Sequence, residues 1–325
     1  MTDAIIVREY GGPEVLRVEQ VDVPAPGPGE LRIRQTCLGV NFHDVYVRSG
    51  LYRTLSLPGT PGIEGVGIVE QVGEGVTGFA RGDRIGYVTN TYGCYAAERI
   101  IPAAIAVRLP DEVDDLTAGA VLLKGLTVEM LVRRVYRVQA GDRVLVHAAA
   151  GGVGQLLVQA AARIGARVIG TVGSQAKAEL ARRCGCEHVV LYRSENFVER
   201  VREITEGRGV QVVYDSVGKD TFSGSLESLA MRGHLVNFGQ SSGPVAGFEV
   251  SALAPKSASL TRPMLFHYMQ QRAELLDMSG SLFEALRSGA LKVEPPRTFA
   301  LSEAARAHEV LESRQSQTPL VLLPG

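Results

Sequence analysis

Short apolar runs separated by glycine and proline dominate the first 120 residues of the chain. The runs are rich in Val, Ile and Tyr, and the turn segments between them include Pro24–Gly29 and Gly73–Gly82. This spacing is typical of a compact all-β barrel or sandwich. The predicted strands are Ala4–Val7, Leu16–Val23, Leu31–Leu38, Gly65–Val72, Arg84–Val88 and Tyr95–Ile101, with one short helix over Asn41–Ser49.

After Asp111 the pattern changes to an alternation of apolar strands and amphipathic helices, which predicts βαβ units around a parallel sheet. A first helix is expected over Asp114–Val135, with an interruption at Lys124–Gly125. The predicted strands are Arg143–His147, Arg167–Val172, Val189–Tyr192, Val210–Tyr214 and His234–Phe238, and the helices between them are Gly152–Ile164, Ser174–Arg183, Phe197–Glu206 and Phe222–Ala230. The tail predicts helices Met269–Ser288 and Ala300–Glu312, then an apolar strand Leu320–Leu323 that joins a sheet.

Composition narrows the class of protein. The chain has 325 residues, enough for about two domains, and its net charge of −1 lacks the basic footprint of a dedicated nucleic-acid or anionic-membrane protein. Four scattered cysteines do not form a disulfide scaffold and favour free thiols in a reducing cytoplasm. The apolar stretch Val144–Gly170 is interrupted by polar and charged residues, so no membrane insertion is expected.

A glycine-rich turn follows the predicted strand Arg143–His147 and opens a helix. Read as a dinucleotide fingerprint, it has Ala149 in place of the first glycine, followed by Gly151 and Gly154. Gly151 would let the backbone approach a pyrophosphate, and Gly154 would let helix and strand pack closely. Because the motif lies within repeated βαβ units, it predicts a dinucleotide-binding site rather than a purely structural turn.

The next strand indicates which nicotinamide cofactor is bound. An NAD site usually places an acid at its end, on the ribose 2′-hydroxyl, whereas this strand ends in Val172-Gly173 without one. Ser174 is a predicted helix N-cap, and Lys177 lies in the following turn, one of only five lysines in the chain. A hydroxyl, a lysine and open helix amides suit a 2′-phosphate, which favours NADP(H). The alternative is that Lys177 is an ordinary solvated surface residue.

Several motifs together resemble the zeta-crystallin-like quinone oxidoreductase branch of the medium-chain dehydrogenase/reductase superfamily. They are Asn41-Phe42-His43-Asp44, Pro61-Gly62-Ile63-Glu64-Gly65, Gly82-Asp83-Arg84, Leu123-Lys124-Gly125-Leu126-Thr127, Ala149-Ala150-Gly151-Gly152-Val153-Gly154, Tyr214-Asp215-Ser216-Val217-Gly218 and Asn237-Phe238-Gly239. The resemblance implies an α/β protein with a GroES-like β-rich catalytic domain over residues 1–122. A Rossmann domain with a doubly wound parallel sheet would follow over 123–263, and residues 264–325 would return to the first domain.

Many relatives of this superfamily hold a catalytic zinc through Cys and His at positions that here resemble Asn41 and Ile63. Neither residue supplies a thiolate or an imidazole, and the six histidines show no pairing at ligand spacing. We therefore expect no metal. Without a Lewis acid, an electron-poor acceptor such as a quinone or a conjugated carbonyl is the more accessible substrate.

Candidate catalytic residues lie on the predicted short helix and just after it. Asn41 would hydrogen-bond the nicotinamide ribose or the substrate oxygen. Tyr46 and Tyr52 would stack on a flat ring or donate to a developing oxyanion, or they are amphipathic core residues. Asp44 would orient Asn41 or Tyr46, or it caps the helix.

The resemblance also implies a cofactor groove made by residues that are far apart in sequence. The expected set is Asn41, Lys124, Thr127, Gly151, Gly152, Val153, Gly173, Ser174, Lys177, Tyr192, Ser216, Phe238, Gly239, Ser241, Thr261, Arg262 and Arg314. For Arg262 and Arg314 a solvated surface position is an equal alternative.

The preferred function is NADPH-dependent reduction of a quinone. We expect a cytoplasmic protein that does not bind nucleic acid, and the resemblance implies a homodimer. A second interpretation is an NADPH-dependent enone, alkenal or enoyl reductase, since the same hydride geometry reduces a conjugated double bond. A third is a non-catalytic NADPH-binding protein, because zeta-crystallin-like relatives include lens structural proteins and some bind RNA.

Overall fold

The computed structural model describes residues 1–314 and 316–325, which form two compact units. The first comprises Met1–Leu123, Met269–Arg287 and Val293–Gly325, and the second comprises Lys124–Tyr268 and Ser288–Lys292. Residues 264–268 and 288–292 therefore cluster with the second unit. No helix in these ranges is both long and apolar enough to span a membrane.

The first unit is built on a mainly antiparallel sheet. Its strands are β1 (Thr2–Ile6), β2 (Arg17–Val21), β3 (Glu30–Gly39), β4 (Glu64–Val72), β5 (Arg84–Val88), β6 (Glu98–Pro102) and β7 (Ala106–Arg108). β1 pairs with β2, while β3 to β7 belong to a seven-stranded sheet in which β3 contacts both β4 and β6. Leu31, Ile33, Val69 and Ile85 are fully buried in its core.

The C-terminal tail completes this sheet. Its elements are α7 (Arg272–Arg287), β14 (Arg297–Ala300), α8 (Ala304–Glu312) and β15 (Leu320–Leu323). β15 pairs antiparallel with β3, which confirms that the apolar terminal strand joins a sheet. β14 was not predicted from the sequence. It lies parallel to β15, and its four residues are too polar to indicate a strand without the strand that they pair with.

Two helices of the N-terminal half are α1 (Phe42–Arg48) and α2 (Asp115–Glu129). The predicted interruption at Lys124–Gly125 is wrong, because α2 runs through both residues and continues as a π-helix over Met130–Val135. A glycine costs an exposed helix about 1 kcal/mol relative to alanine. Here the neighbouring Leu122 and Leu126 are buried, and this packing stabilises the helix.

The second unit is a six-stranded parallel sheet in the order β10-β9-β8-β11-β12-β13. Its elements are β8 (Arg143–Val146), α3 (Gly152–Ile164), β9 (Arg167–Val172), α4 (Gln175–Cys184), β10 (His188–Leu191), α5 (Phe197–Ile204), β11 (Val210–Asp215), α6 (Phe222–Ser228), β12 (Leu229–Asn237) and β13 (Ser259–Thr261). Leu145, Val213 and Leu235 are completely buried in its core.

The predicted boundary at Ala230 is wrong by two residues. The helix ends at Ser228, and β12 begins at Leu229, which pairs with Val210 before a shift of register. The few apolar residues at this boundary fit the start of a strand and the end of an amphipathic helix equally well, so the sequence pattern does not separate the two. The mixed α/β fold, with a β-rich unit and a doubly wound parallel sheet, is confirmed.

Candidate active site

Asn41 is the N-cap residue of α1, with an extended backbone at φ −130°. Its backbone N–H donates to Oδ2 of Asp44 at 2.8 Å, and its side-chain Nδ2 donates to Oε2 of Glu64, also at 2.8 Å. Because a carboxylate only accepts, this contact identifies Nδ2 as the amide atom that faces Glu64. Asn41 is 6% exposed, so two buried carboxylates determine its orientation.

Glu64 is a site residue that the sequence analysis did not assign. It is completely buried at the start of β4, and its Oε1 accepts the backbone N–H of Leu123 at 2.7 Å. A buried carboxylate persists only where hydrogen bonds compensate for lost hydration, and both of its oxygens have such bonds. The available signal was a single acid between Ile63 and Gly65, directly before the apolar run Gly65–Val69.

Asp44 has a second role besides its bond to Asn41. The hydroxyl of Tyr95 donates to Oδ2 of Asp44 at 3.1 Å and lies 3.0 Å from Nε2 of His308 on α8. Since the single phenolic proton goes to the carboxylate, Nε2 of His308 must donate to Tyr95. Burial, reinforced by the nearby Arg48 cation, lowers the pKa of His308 to about 3, so the imidazole is neutral at neutral pH.

Arg48 closes this network. Its guanidinium makes two 2.9 Å bonds to the carboxylate of Glu312 on α8 and lies 3.4 Å from Nδ1 of His308. The arginine is 2% exposed, whereas the Glu312 side chain is 35% exposed. A continuous chain of polar contacts therefore ties both ends of α1 to the C-terminal helix. None of this long-range pairing follows from sequence spacing.

Four aromatic rings form a cluster at α1, two from the helix itself and two from segments that follow it: His43, Tyr46, Tyr52 and Tyr92. The ring centres of Tyr46 and Tyr52 are 5.2 Å apart with an edge-to-face angle of 66°. His43 lies 5.5 Å from Tyr52 and 6.0 Å from Tyr92. Tyr46 and Tyr52 are half-buried. Partial burial is usual for tyrosine, because its ring is apolar and its hydroxyl is polar. Tyr46 and Tyr52 are candidate catalytic residues from the sequence, whereas His43 and Tyr92 were not predicted to belong to the site.

In the second unit, the glycine-rich turn forms as the sequence predicts. Gly151 is the N-cap of α3, and Ala148 precedes it at φ 51°. A Cβ on Gly154 would lie 2.2 Å from the carbonyl oxygen of Ala148, and one on Gly151 would lie 3.1 Å from the same atom. The turn therefore has no room for a side chain at Gly154 and little at Gly151, and the first N–H groups of α3 are available to an anion. These features fit a dinucleotide pyrophosphate.

Lys124 covers one edge of this turn. A Cβ on Gly152 would lie 3.1 Å from Cε of Lys124, so the lysine stem packs directly on the backbone of the turn. Lys124 is 8% exposed. Thr127, one helical turn further along α2, is half-buried, as is Val153.

A polar patch follows β9 and β10. Ser174 is the N-cap of α4 and accepts the backbone N–H of Lys177 at 3.4 Å, as predicted for a cap. A Cβ on Gly173 would lie 2.7 Å from the Tyr192 hydroxyl and 3.4 Å from Nε of Arg193. Arg193 is exposed and was not assigned from the sequence, although it directly follows Tyr192. Hydroxyls, a lysine and an arginine near one helix N-terminus suit a phosphate monoester.

The remaining predicted residues follow β11, β12 and β13. A Cβ on Gly239 would lie 2.6 Å from the Ser216 carbonyl, which in turn accepts the backbone N–H of Ser241 at 3.2 Å. The backbone N–H of Phe238 donates to the Asp215 carbonyl at 2.9 Å. At the end of β13, Thr261 contacts His234, and Arg262 donates to the Asn237 carbonyl at 3.0 Å.

Each of the six parallel strands is therefore followed at its carboxyl end by residues predicted to bind cofactor. This edge is where open α/β sheets bind ligands. Four predicted residues lie elsewhere. Lys124 and Thr127 are on α2. Asn41 and Arg314 belong to the first unit, and Arg314 is an exposed residue just after α8 with φ 55°.

Metal ligands are not grouped in the described part of the chain: no cluster of three or more His, Cys, Asp or Glu residues occurs there. The side chain of Asn41 is bound to Glu64, and Ile63 is 1% exposed within the core.

Comparison with known proteins places these features in a family. Residues 27–111 match the alcohol dehydrogenase GroES-like domain, and residues 152–280 match the zinc-binding dehydrogenase domain. The chain is 45% identical over 325 residues to a quinone oxidoreductase of Pseudomonas aeruginosa, and the match covers 100% of both chains. It belongs to the quinone oxidoreductase family of medium-chain dehydrogenases/reductases.

Two further similarities bear on the chemistry of this quinone oxidoreductase family member. The structure of Escherichia coli quinone oxidoreductase complexed with NADPH superposes with a TM-score of 0.97, at 43% identity and with 99% and 100% of the two chains covered. A 2-haloacrylate reductase of a Burkholderia species is 42% identical over 331 residues, covering 100% of this chain and 99% of its own.

Proposed function

We propose that this protein is an NADPH:quinone oxidoreductase that transfers a hydride to a quinone without a metal ion. The observation that carries the proposal is the set of polar and glycine residues at the carboxyl edge of all six parallel strands, on a chain with full-length similarity to quinone oxidoreductases. The alternative of enone or enoyl reduction has less support from these relatives, and it remains an outcome of the acceptor test below.

Different residues of the second unit would hold different parts of the cofactor. The open amides at the start of α3 bind the pyrophosphate, and Ser174, Lys177, Tyr192 and Arg193 bind the 2′-phosphate. Ser216, Phe238, Gly239 and Ser241, with Thr261 and Arg262, would line the nicotinamide half. When bound, NADPH supplies the hydride.

The residues of the first unit would act on the acceptor. Tyr46 and Tyr52 offer an edge-to-face pair of half-buried rings against which a planar quinone packs. Asn41, oriented by Glu64 and Asp44, would position the ribose or the acceptor oxygen. Positioning of this kind is the main contribution that a protein makes to direct hydride transfer.

We expect the purified protein to contain no stoichiometric zinc and to keep its quinone reductase activity in chelator. The reason is that Asn41 and Ile63 stand at the positions where zinc-dependent relatives have ligands. Elemental analysis together with activity before and after dialysis measures this directly. About one zinc per chain, removed together with activity, would contradict the metal-free mechanism.

Lys177→Ala is expected to raise the dissociation constant for NADPH at least about tenfold, since a charge-assisted hydrogen bond contributes about 1.5–3 kcal/mol. The affinity for NADH should stay almost unchanged, because NADH has no 2′-phosphate. Fluorescence titration of both cofactors measures the difference, with the exposed Lys292→Ala as a matched control. Equal losses for both cofactors would instead assign Lys177 to the fold or the pyrophosphate.

Tyr52→Ala is expected to lower kcat/KM for quinones about tenfold, because a ring contact of this kind is worth about 0.5–1.5 kcal/mol beyond the area it buries. The dissociation constant for NADPH should be nearly unchanged. Steady-state kinetics at saturating NADPH and a separate cofactor titration distinguish the two effects. Lost NADPH affinity with normal acceptor kinetics would place Tyr52 in the cofactor site.

The function as a whole is tested by NADPH oxidation with a panel of quinones, enones and acrylates. We expect quinones to be reduced with higher kcat/KM than conjugated alkenes, and NADPH to be preferred to NADH. Faster turnover of the alkenes would support the enoyl reductase alternative. Tight NADPH binding without turnover of any acceptor would support the non-catalytic interpretation.

We further propose a homodimer in the cytoplasm that acts on small molecules and not on nucleic acids. β13 is the last strand of the parallel sheet among the described residues, and Val250 and Met264, on either side of it in sequence, are 75% and 51% exposed. A dimer that extends the sheet would cover such residues. No disulfide joins the four cysteines in the described chain, and a net charge of −1 suits a small-molecule enzyme.

A further inference from the structure

His43 occupies the centre of the aromatic cluster beside α1, but the function proposed above gives it no part. Its ring lies edge-on to Tyr52 at 5.5 Å and stacks on Tyr92 at 6.0 Å with an interplanar angle of 29°. It directly follows Phe42 on α1, two residues after Asn41. The imidazole therefore stands among the residues assigned to the acceptor.

Tyr92 is held against His43 by an unusual backbone. It has φ 60°, a left-handed conformation that costs a non-glycine residue roughly 1–2 kcal/mol. The loop around it is fixed by backbone bonds from Gly93 to the Thr60 carbonyl at 2.9 Å and from Tyr95 to the Pro61 carbonyl at 3.0 Å. Residues held in such conformations concentrate at functional sites.

A chain of two hydroxyls ends on the imidazole. The Tyr92 hydroxyl contacts Oγ1 of Thr54 and lies 3.5 Å from Nε2 of His43. Burial lowers the pKa of His43 to about 4, so at neutral pH the ring has one N–H and one bare nitrogen. If Thr54 donates to Tyr92 and Tyr92 donates to Nε2, the imidazole proton resides on Nδ1. Within residues 1–314 and 316–325, Nδ1 has no hydrogen-bond partner.

We propose that Nδ1–H of His43 donates a hydrogen bond to the carbonyl oxygen of the quinone, with Tyr92 and Thr54 as positioning residues that fix the tautomer. The inference rests on the proposed quinone reductase function and adds an oxyanion donor to it. A neutral imidazole can stabilise developing negative charge in this way without itself losing a proton. The long 3.5 Å contact suits a site that tightens when an acceptor binds.

The chemistry balances without an additional reactant. The quinone gains a hydride from NADPH, which becomes NADP⁺, and an oxyanion forms on the quinone. His43 donates a hydrogen bond to that oxygen and keeps its proton. Water supplies the proton that completes the hydroquinone. The hydrogen bond from His43 therefore strengthens as negative charge develops on the quinone oxygen. Its loss should lower kcat more than it lowers the affinity for the cofactor.

The test compares three variants with 1,4-benzoquinone as the acceptor. His43→Phe keeps a ring between Tyr52 and Tyr92 but removes both nitrogens, and kcat should fall at least about tenfold, as expected for a lost hydrogen bond to developing charge. His43→Asn places an amide N–H near the position of Nδ1 and should recover most of that loss. Tyr92→Phe removes the hydroxyl that sets the tautomer and should give a smaller loss of kcat. The dissociation constant for NADPH should not change in any variant.

A second measurement does not depend on turnover. In protein labelled with ¹⁵N-histidine, the His43 signals, identified by their absence in His43→Phe, should show the proton on Nδ1, and Tyr92→Phe should shift this equilibrium. An unchanged kcat in His43→Phe, an equal loss in His43→Phe and His43→Asn, or a proton on Nε2 would each overturn the proposal. These results differ from a failure of the proposed function itself, in which the wild-type protein would not reduce benzoquinone at all.

Discussion

Gly154→Ala is expected to abolish tight NADPH binding and to lower the free energy of unfolding by about 3 kcal/mol, the upper part of the range for overpacking. A Cβ at this position would lie 2.2 Å from the Ala148 carbonyl oxygen and 3.0 Å from its carbon. Backbone atoms cannot rotate away as a side chain can, so either α3 or the glycine-rich turn must move. Both changes displace the amides that bind the pyrophosphate.

Denaturant unfolding and fluorescence titration with NADPH measure the two effects of Gly154→Ala. Gly280→Ala is the matched control, because it lies on α7 with no atom within 4 Å of its added Cβ. It should keep the affinity for NADPH and should lose no stability, because alanine is favoured over glycine in an exposed helix by about 1 kcal/mol. If Gly154→Ala binds NADPH as the wild type does, the turn is not the pyrophosphate site.

Arg48→Ala is expected to lower the free energy of unfolding by about 3 kcal/mol, near the lower end for breaking a buried ion pair. The side chain is 2% exposed and makes two 2.9 Å bonds to Glu312, whose side chain is 35% exposed. Its removal leaves a partly desolvated carboxylate without its partner and His308 without the donor to Nδ1. It also releases α1, so kcat with quinones should fall.

The exposed pair Arg8–Glu19 provides the control for Arg48. It is also a two-bond arginine–carboxylate pair, at 3.0 and 2.8 Å, but the Arg8 side chain is 65% exposed. Arg8→Ala should not change stability measurably, because exposed ion pairs are screened and contribute little. Equal effects of Arg8→Ala and Arg48→Ala on denaturant midpoints would show that burial of the pair does not matter.

Local patterns were sufficient to predict most of the fold. The glycine-rich turn after β8, the Ser174 cap and the apolar terminal strand each depend on residues near in sequence, and the structure confirms their conformations. The errors arose where tertiary packing or strand pairing determines the local structure. Gly125 does not interrupt α2 because packing stabilises the helix, and β14 exists through its pairing with β15.

The candidate site was less predictable than the fold, because several of its contacts join distant residues. Arg48 and His308 are 260 positions apart, and Asn41 and Glu64 are 23 apart. Residue type together with the family resemblance identified Asn41 and the tyrosines as candidates. It did not indicate that Glu64 orients the asparagine amide, or that an isolated histidine lies between two tyrosine rings. Such pairings are set by how the sheets and helices pack, which the local pattern does not encode.

Anaerobic single turnover is the most direct test of NADPH-dependent, metal-free quinone reduction. Protein dialysed against chelator is mixed with NADPH and 1,4-benzoquinone, and both products are quantified while an electron paramagnetic resonance spectrum is recorded. We expect one hydroquinone for each NADP⁺ formed, without a semiquinone signal, because a hydride transfers both electrons together. No quinone-dependent oxidation of NADPH, or oxidation that requires added zinc, would contradict this expectation.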